Sequence, residues 1–429
     1  LPWRIRQSGQ WAGAFALGLA CLVAPAMAGS ERPAGDGSGT DNQRLLPDIY
    51  PAAGPVLADG SGVPEPYDPF FDVDWSVALR GTYTQNAERE RFDTRLVPSV
   101  TLNHVGSRSA IGLDAEAEVT RPDDGQIDVT ALRLNLSGDY ALDRETLASA
   151  DANFSLTQDL PGMPGVASNI ADPPQRISGG VEFGVTRKFG RFNLGVTGAV
   201  QRSVYGETGL VDGSVIDNAD RAVWALDSGL RLGFQMTPIF EVFGRAGLGR
   251  DMFDHPSSVL LIKTDANEAS IEAGVTGRWS SVWQATASTG LNLRRFDEAS
   301  LGEVVTHLYN ASVTFTPDER WSATGTLSTS VEPPGPTSAG TTAVRYAASG
   351  EIGYAVNSWL ALRASADWST TRYEGSSETK DGNGYGLGAD YQLGPHTTVS
   401  ADYDFSHSDS TTDGVEDSHR IMVGLTVSR

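Results

Sequence analysis

The chain has 429 residues, with 32 Lys and Arg against 54 Asp and Glu and a formal charge of −22. That balance excludes nucleic acid as a partner, because phosphate recognition needs a basic surface. Hydrophobic residues make up 39 % and the mean hydropathy is −0.24. Such values exclude a bundle of apolar membrane helices, but not a membrane barrel in which only alternate residues face lipid.

The first 28 residues read as a secretory signal. Arg4 and Arg6 form a basic end, Trp11 to Val23 is a short apolar run, and Ala26-Met27-Ala28 is a small-x-small cleavage site. Cys21, the single cysteine, sits in that run. A lipoprotein signal is disfavoured there, because Gly18 stands where a bulky apolar residue is expected. Cys21 therefore leaves with the signal, and neither disulfides nor Cys-based zinc sites hold the mature chain together. Residues 29–70 carry seven prolines and no sustained period. They read as a disordered periplasmic arm rich in Pro, Gly and Asp.

From residue 71 onward a two-residue rhythm sets in. Trp75, Val77, Leu79 and Tyr83 share one face and Ser76, Ala78, Arg80 and Thr82 the other. Ile111, Leu113 and Val119 oppose Asp114, Glu116 and Glu118, and Ala150, Ala152 and Phe154 oppose Asp151 and Asn153. Leu226, Leu230 and Leu232 oppose Asp227 and Arg231, and Ile421, Val423 and Leu425 oppose Arg420 and Gly424. Alternation of this kind marks strands, since successive side chains point to opposite faces. It returns about eighteen times, each stretch about ten residues long, the length of a tilted strand crossing a bilayer.

Connector lengths alternate too. Tight connections fall at 188–191, 237–239, 280–282, 317–320, 356–358 and 394–396, and longer polar loops at about 158–175, 206–220, 254–266, 297–304, 333–342, 374–382 and 408–417. Aromatic residues flank the tight ones: Phe189 and Phe192, Phe234 and Phe240, Trp279 and Trp283, Phe315 and Trp321, Tyr354 and Trp359. This predicts a periplasmic aromatic girdle, with Phe154, Phe253, Phe296, Trp368, Tyr373 and Phe405 as the opposite belt. Backbone groups in hydrocarbon all need partners, so the sheet must close on itself. The expected fold is all-β: a closed antiparallel transmembrane barrel of about 18 strands (16 is also compatible), with a lumen too wide for side chains to fill. A soluble propeller or array of sandwiches is the competing architecture.

Four stretches resemble the outer-membrane family called putative β-barrel porin 2. They are Tyr67-Asp68-Pro69-Phe70, Gly213 to Arg221, Leu293-Arg294-Arg295-Phe296-Asp297, and Asp402-Tyr403-Asp404-Phe405 with Arg420 to Leu425. The resemblance covers nearly the whole mature chain. It implies an outer-membrane barrel, often encoded near exopolysaccharide machinery. One departure concerns outer-membrane proteins generally: the last residue is usually aromatic, and here it is Arg429. Efficient recognition by the barrel assembly machinery is thereby in question.

Few constellations suggest chemistry. His407 and His419, with Asp409, Asp413, Glu416 and Asp417 between them, resemble a divalent-ion site, but a solvated acidic loop explains them better. Ser406-His407 and Ser418-His419 place adjacent residues on opposite faces, so neither is a nucleophile pair. Gly382 to Gly388 alternates glycine as a strand does, not as a nucleotide fingerprint, and marks a place where an arm or loop packs inside. We expect no catalytic residue, cofactor or metal.

The expected pore lining is charged. Its basic members are Arg80, Arg95, Arg231, Arg245, Arg278, Arg294, Arg345 and Arg363. Its acidic members are Asp114, Glu116, Asp151, Glu182, Asp227, Glu272, Glu351, Asp367, Asp390 and Asp402. Opposed rows of this kind focus a field across a lumen. The function expected is a conduit in the outer membrane of a Gram-negative bacterium, with export of an exopolysaccharide favoured on the resemblance alone. A general diffusion porin and a plugged barrel with a structural or adhesive surface are the alternatives. Expected partners are outer-membrane lipid, the barrel assembly machinery and periplasmic polysaccharide-export components.

Overall fold

The computed structural model describes residues 71–429 apart from 87–89, 123–124, 126, 160–168, 335–339 and 413. The signal and the arm expected at 1–70 lie outside the described residues. In chain order the strands are β1 (Asp72–Asn86), β2 (Glu90–Val105), β3 (Ser109–Pro122), β4 (Asp128–Ala141), β5 (Thr146–Thr157), β6 (Ile170–Asp172) and β7 (Arg176–Phe189). They continue with β8 (Phe192–Tyr205), β9 (Thr208–Leu210), β10 (Val215–Ile216), β11 (Val223–Gln235), β12 (Phe240–Phe253), β13 (Ala266–Trp279) and β14 (Trp283–Phe296). The last are β15 (Glu303–Phe315), β16 (Trp321–Glu332), β17 (Thr342–Asn357), β18 (Leu360–Glu374), β19 (Thr379–Gly394), β20 (Thr397–Ser410) and β21 (Gly414–Ser428).

Eighteen of these form one antiparallel sheet, and each pairs with its neighbour in sequence. Short β6, β9 and β10 make a separate three-stranded sheet in the loops. The large sheet closes because β21 pairs with β1, from Ser76↔Ser428 to Asn86↔Ser418. Backbone bonds of 3.0 Å run both ways between Trp75 and Arg429. Eighteen tilted strands at ordinary spacing give a ring roughly 35 Å across, backbone to backbone, wide enough for an aqueous channel. Among the described residues no helix is long and apolar enough to cross a membrane.

Burial is inverted relative to a water-soluble fold. Trp75, Val77 and Leu79 are exposed, as are Leu230, Leu232, Ile271, Val275, Leu425 and Val427. The largest fully buried side chains are Arg294, Thr82, Thr120, Thr342 and Asp93. Extended rows of exposed aliphatics with a polar interior are what lipid outside and water inside require.

The tight turns explain themselves locally. Asp318 Oδ1 accepts the N–H groups of Arg320 and Trp321, and Asn357 Oδ1 those of Trp359 and Leu360. Thr237 Oγ1 does the same for Ile239 and Phe240. One side-chain oxygen at the turn entry thus satisfies two donors that no strand can take. Beside these turns, aromatic pairs join neighbouring strands: Phe192–Phe234 at 4.9 Å, Phe240–Trp279 at 5.1 Å, Trp283–Phe315 at 4.2 Å and Trp321–Tyr354 at 4.4 Å between centroids. They form the periplasmic girdle at the level where rings are favoured.

The structure corrects three expectations. The strands run 12–16 residues, not ten. They continue past the hydrocarbon, so two expected loops shrink to tight connections at 375–378 and 411–413. Phe253 and Phe296 do not join the outer belt. Both share parity with inward residues at the extracellular ends of β12 and β14, and both are buried. Trp368 keeps its outward place and is 47 % exposed.

Candidate pore wall

All eighteen charged residues expected to line a pore share the face opposite the exposed apolar rows. The parity of each strand fixes this: Leu79 and Ile352 point outward beside Arg80 and Glu351, and Leu362 and Tyr403 beside Arg363 and Asp402. Register across strands then decides which charges meet.

Most arginines on this face are held by a carboxylate from a neighbouring strand. Arg95 reaches Glu118 at 3.1 Å, Arg133 reaches Glu116 at 2.6 Å and Arg231 reaches Glu241 at 2.5 Å. Arg245 lies 3.8 Å from Glu272, whose other oxygen accepts from Ser288 and Asn310. Arg363 clamps Asp390 at 3.0 Å and Asp402 at 2.5 Å, spanning three strands. Arg294 is fully buried between Asp251, at 2.7 Å, and Glu268. Asp114 accepts a hydroxyl hydrogen from Thr101 at 2.8 Å. Among the described residues Arg80, Arg278, Arg345, Glu351 and Asp367 form no ion pair.

One register row of the wall runs across four strands without an arginine. The register runs Asp151↔Glu182, Glu182↔Ala199 and Ala199↔Asp227 across β5, β7, β8 and β11. The row continues Asp227↔Gly249, Gly249↔Glu268 and Glu268↔Arg294. Four carboxylates, Asp151, Glu182, Asp227 and Glu268, thus lie in one register row before its first cation, and no ion pair reaches the first three among the described residues. Like charges aligned this way raise the local cation concentration.

An aromatic residue interrupts the polar face. Phe243 is buried, registers against Gly233 and Gly274, and carries the Arg231 guanidinium 4.5 Å and the Arg245 guanidinium 5.9 Å from its centroid. At the periplasmic mouth a cavity of about 210 Å³ is lined by Lys188, Arg191, Gln235, Glu241, Thr276 and Arg278.

The extracellular loops are organised by the motif at 213–221. Asn218 is buried and donates to Gly206 C=O at 2.7 Å and to Thr208 Oγ1 at 2.8 Å. Asp220 accepts the Ser258 N–H at 2.6 Å, tying this loop to the next. At the loop base Arg250 grips Asp297 with two bonds of 2.7 and 2.5 Å, and Asn267 adds a third at 3.2 Å. Those bonds, the arginine's first, hold the Asp297 carboxyl below the usual carboxylate range.

The two histidines are not brought together. His407 Nδ1 contacts Asp417 at 2.6 Å, and His419 Nδ1 meets Tyr403 Oη at 2.9 Å. Two residues of register separate them, because β20 and β21 stay paired to Ser410↔Gly414. Among the described residues, carboxylates lie over alternating glycines of β19, and the arm expected to pack there falls outside those residues. Asp367 lies over Gly384, and Asp402 with Arg363 over Gly388. Sequence reasoning passed over Arg133, Asp251, Glu268 and Phe243. Each has the parity of an inward neighbour, which was signal enough.

The family model for putative beta-barrel porin 2 matches residues 71–429, the entire barrel. The chain belongs to this family: it is a porin-like β-barrel channel of the outer membrane of a Gram-negative bacterium. No curated protein matches. Similar solved structures include Pseudomonas aeruginosa OccK1 (OpdK), 13 % identical with a TM-score of 0.42, covering 83 % of this chain and 99 % of that one. P. aeruginosa OccK2 (OpdF) is 10 % identical with a TM-score of 0.45, covering 83 % and 98 %. P. aeruginosa OccK3 (OpdO) is 12 % identical with a TM-score of 0.43, covering 83 % and 96 %.

Proposed function

We propose that the barrel is a diffusion conduit for small polar solutes with a preference for cations, lined by the eighteen charged residues of its inner face. The observation that carries this reading is the row Asp151, Glu182 and Asp227, three carboxylates joined by register across four strands with no ion pair among the described residues. Elsewhere among the described residues most arginines are paired with carboxylates, and the unpaired Arg80, Arg278 and Arg345 are offset in number by the unpaired Glu351 and Asp367 to within one charge. Outer-membrane lipid against the apolar rows and the barrel assembly machinery are the partners this function requires. No catalytic step is assigned.

Selectivity is the test. In planar bilayers under a KCl gradient, the reversal potential takes the sign of cation preference; an anion-preferring sign would overturn the reading. Export of an exopolysaccharide with periplasmic components is the narrower reading that the family resemblance implies. No feature of the wall favours a polymer over small solutes. Secreted polysaccharide unchanged in a deletion strain is the outcome we expect, and its loss would favour export.

A further inference from the structure

The wall has one defective seam. β15 and β16 pair only from Ala311↔Leu327 to Phe315↔Ala323, five residue pairs. Every other ladder of the barrel carries at least eleven, as between β1 and β21. Above Ala311, in the extracellular half, side chains replace the ladder. The Tyr309 N–H donates to Thr329 Oγ1 at 2.9 Å, and that hydroxyl donates back to Tyr309 C=O at 3.1 Å. Asn310 Oδ1 accepts the Thr329 N–H at 3.3 Å. Tyr346 reaches across β16 from β17 to place its hydroxyl 3.5 Å from His307 C=O.

The surroundings of the seam are distinctive on both sides. Outside, where the neighbouring strands show aliphatic residues, His307, Tyr309 and Tyr346 stand side by side, with centroids 6.4 and 6.5 Å apart. Val305 borders them, exposed. Inside, Thr306 and Leu308 are buried. In hydrocarbon a backbone edge must find a partner, and an interrupted ladder is tolerated only where something polar meets it. An unzipped stretch rimmed by apolar side chains offers hydrogen bonds to a head group and contact to a chain. Opening it disturbs a few side-chain bonds, not a ladder.

We propose that the β15–β16 seam is a lateral portal between the lumen and the outer leaflet, taking a single-chain amphiphile with a hydrogen-bonding head. The proposal rests on the conduit reading and names a second exit from it. The test uses the full mature chain in nanodiscs, with an alkyl maltoside carrying a diazirine on its chain. Photolabelled residues are mapped by mass spectrometry, and KCl conductance is measured on the same preparation.

Label is expected on Thr306 and Leu308, which the closed wall buries. It should exceed by about fivefold or more that on Thr276 and Asn292, equally buried at the fully paired β13–β14 seam. Thr329→Val removes the stitching hydroxyl and raises the label at Leu308 about fivefold, the population change expected from losing its net hydrogen bonding. A second variant, Leu308→Cys with Ser330→Cys, joined by a short bis-methanethiosulfonate, abolishes label at Thr306, and reductant restores it. Equal labelling of both seams, or label indifferent to the staple, overturns the portal. Conductance with no seam label sinks the portal alone, and absence of conductance sinks the conduit reading.

Discussion

Arg294 and Asp251 lie 2.7 Å apart on strands that are not neighbours: β13 runs between β14 and β12, and its Glu268 completes the triad. The arginine is wholly buried, so one guanidinium fastens three strands at the base of the extracellular loops. The motif Leu293 to Asp297 that suggests the family therefore has a mechanical meaning. Arg294 locks the wall from inside, and Asp297 locks the loop base through Arg250.

Arg294→Ala should be severely destabilising. It leaves Asp251 and Glu268 as uncompensated charges in a confined site, a change that costs about 3–5 kcal/mol for a buried pair. Unfolding in urea followed by gel mobility is the measurement. Arg294→Lys should recover only part of the loss, since a lysine cannot fork to two carboxylates.

Asp151→Asn with Glu182→Gln and Asp227→Asn should move the reversal potential toward zero. The effect should be clear at about 0.1 M salt, where fields persist over about 10 Å, and fade near 1 M, where they persist over about 3 Å. The same triple change made on ion-paired residues would mix selectivity with wall stability, so the unpaired row is the informative one.

Asp297 gives a pH prediction. Its folded-state carboxyl titrates below the unfolded value, so its contribution is present above about pH 4 and is lost as pH falls through the depressed value. Carboxyl carbon shifts followed by NMR should show a midpoint below the ordinary one. Arg250→Gln should return it toward that range, because the arginine's bonds are the leading cause.

Gly274→Ala should destabilise the wall by about 1–3 kcal/mol, the range for overpacking. A Cβ there would stand 2.5 Å from Phe243 Cζ and 2.6 Å from the Ala287 carbonyl oxygen. The second is backbone and cannot rotate away. Gly274→Ala with Phe243→Leu should recover part of the loss, read by the same unfolding assay.

The fold was legible because a period of two, once established, determines which face every residue takes. Arg80, Asp227 and Arg363 followed directly from Leu79, Leu226 and Leu362. Short connections such as 317–320 and 356–358, flanked by aromatic residues, marked the periplasmic side. Two kinds of information were missing. Stagger decides which residues meet across the wall, so the row from Asp151 to Arg294 and the grip of Arg363 on Asp402 needed the register. The eye also misjudges parity at strand ends, where polar residues suggest a loop: Phe253 and Phe296 turned inward, and β20 and β21 ran on through His407 and His419. The short ladder between β15 and β16 leaves no trace in either sequence, since both keep their alternation.

The account depends on a sealed, lipid-embedded ring with water through its middle. The most direct test is single-channel recording of the purified protein inserted into a planar bilayer in KCl. Discrete, stable conductance steps are predicted. A chain that inserts and folds, shown by a heat-shifted gel band, yet passes no current would contradict it.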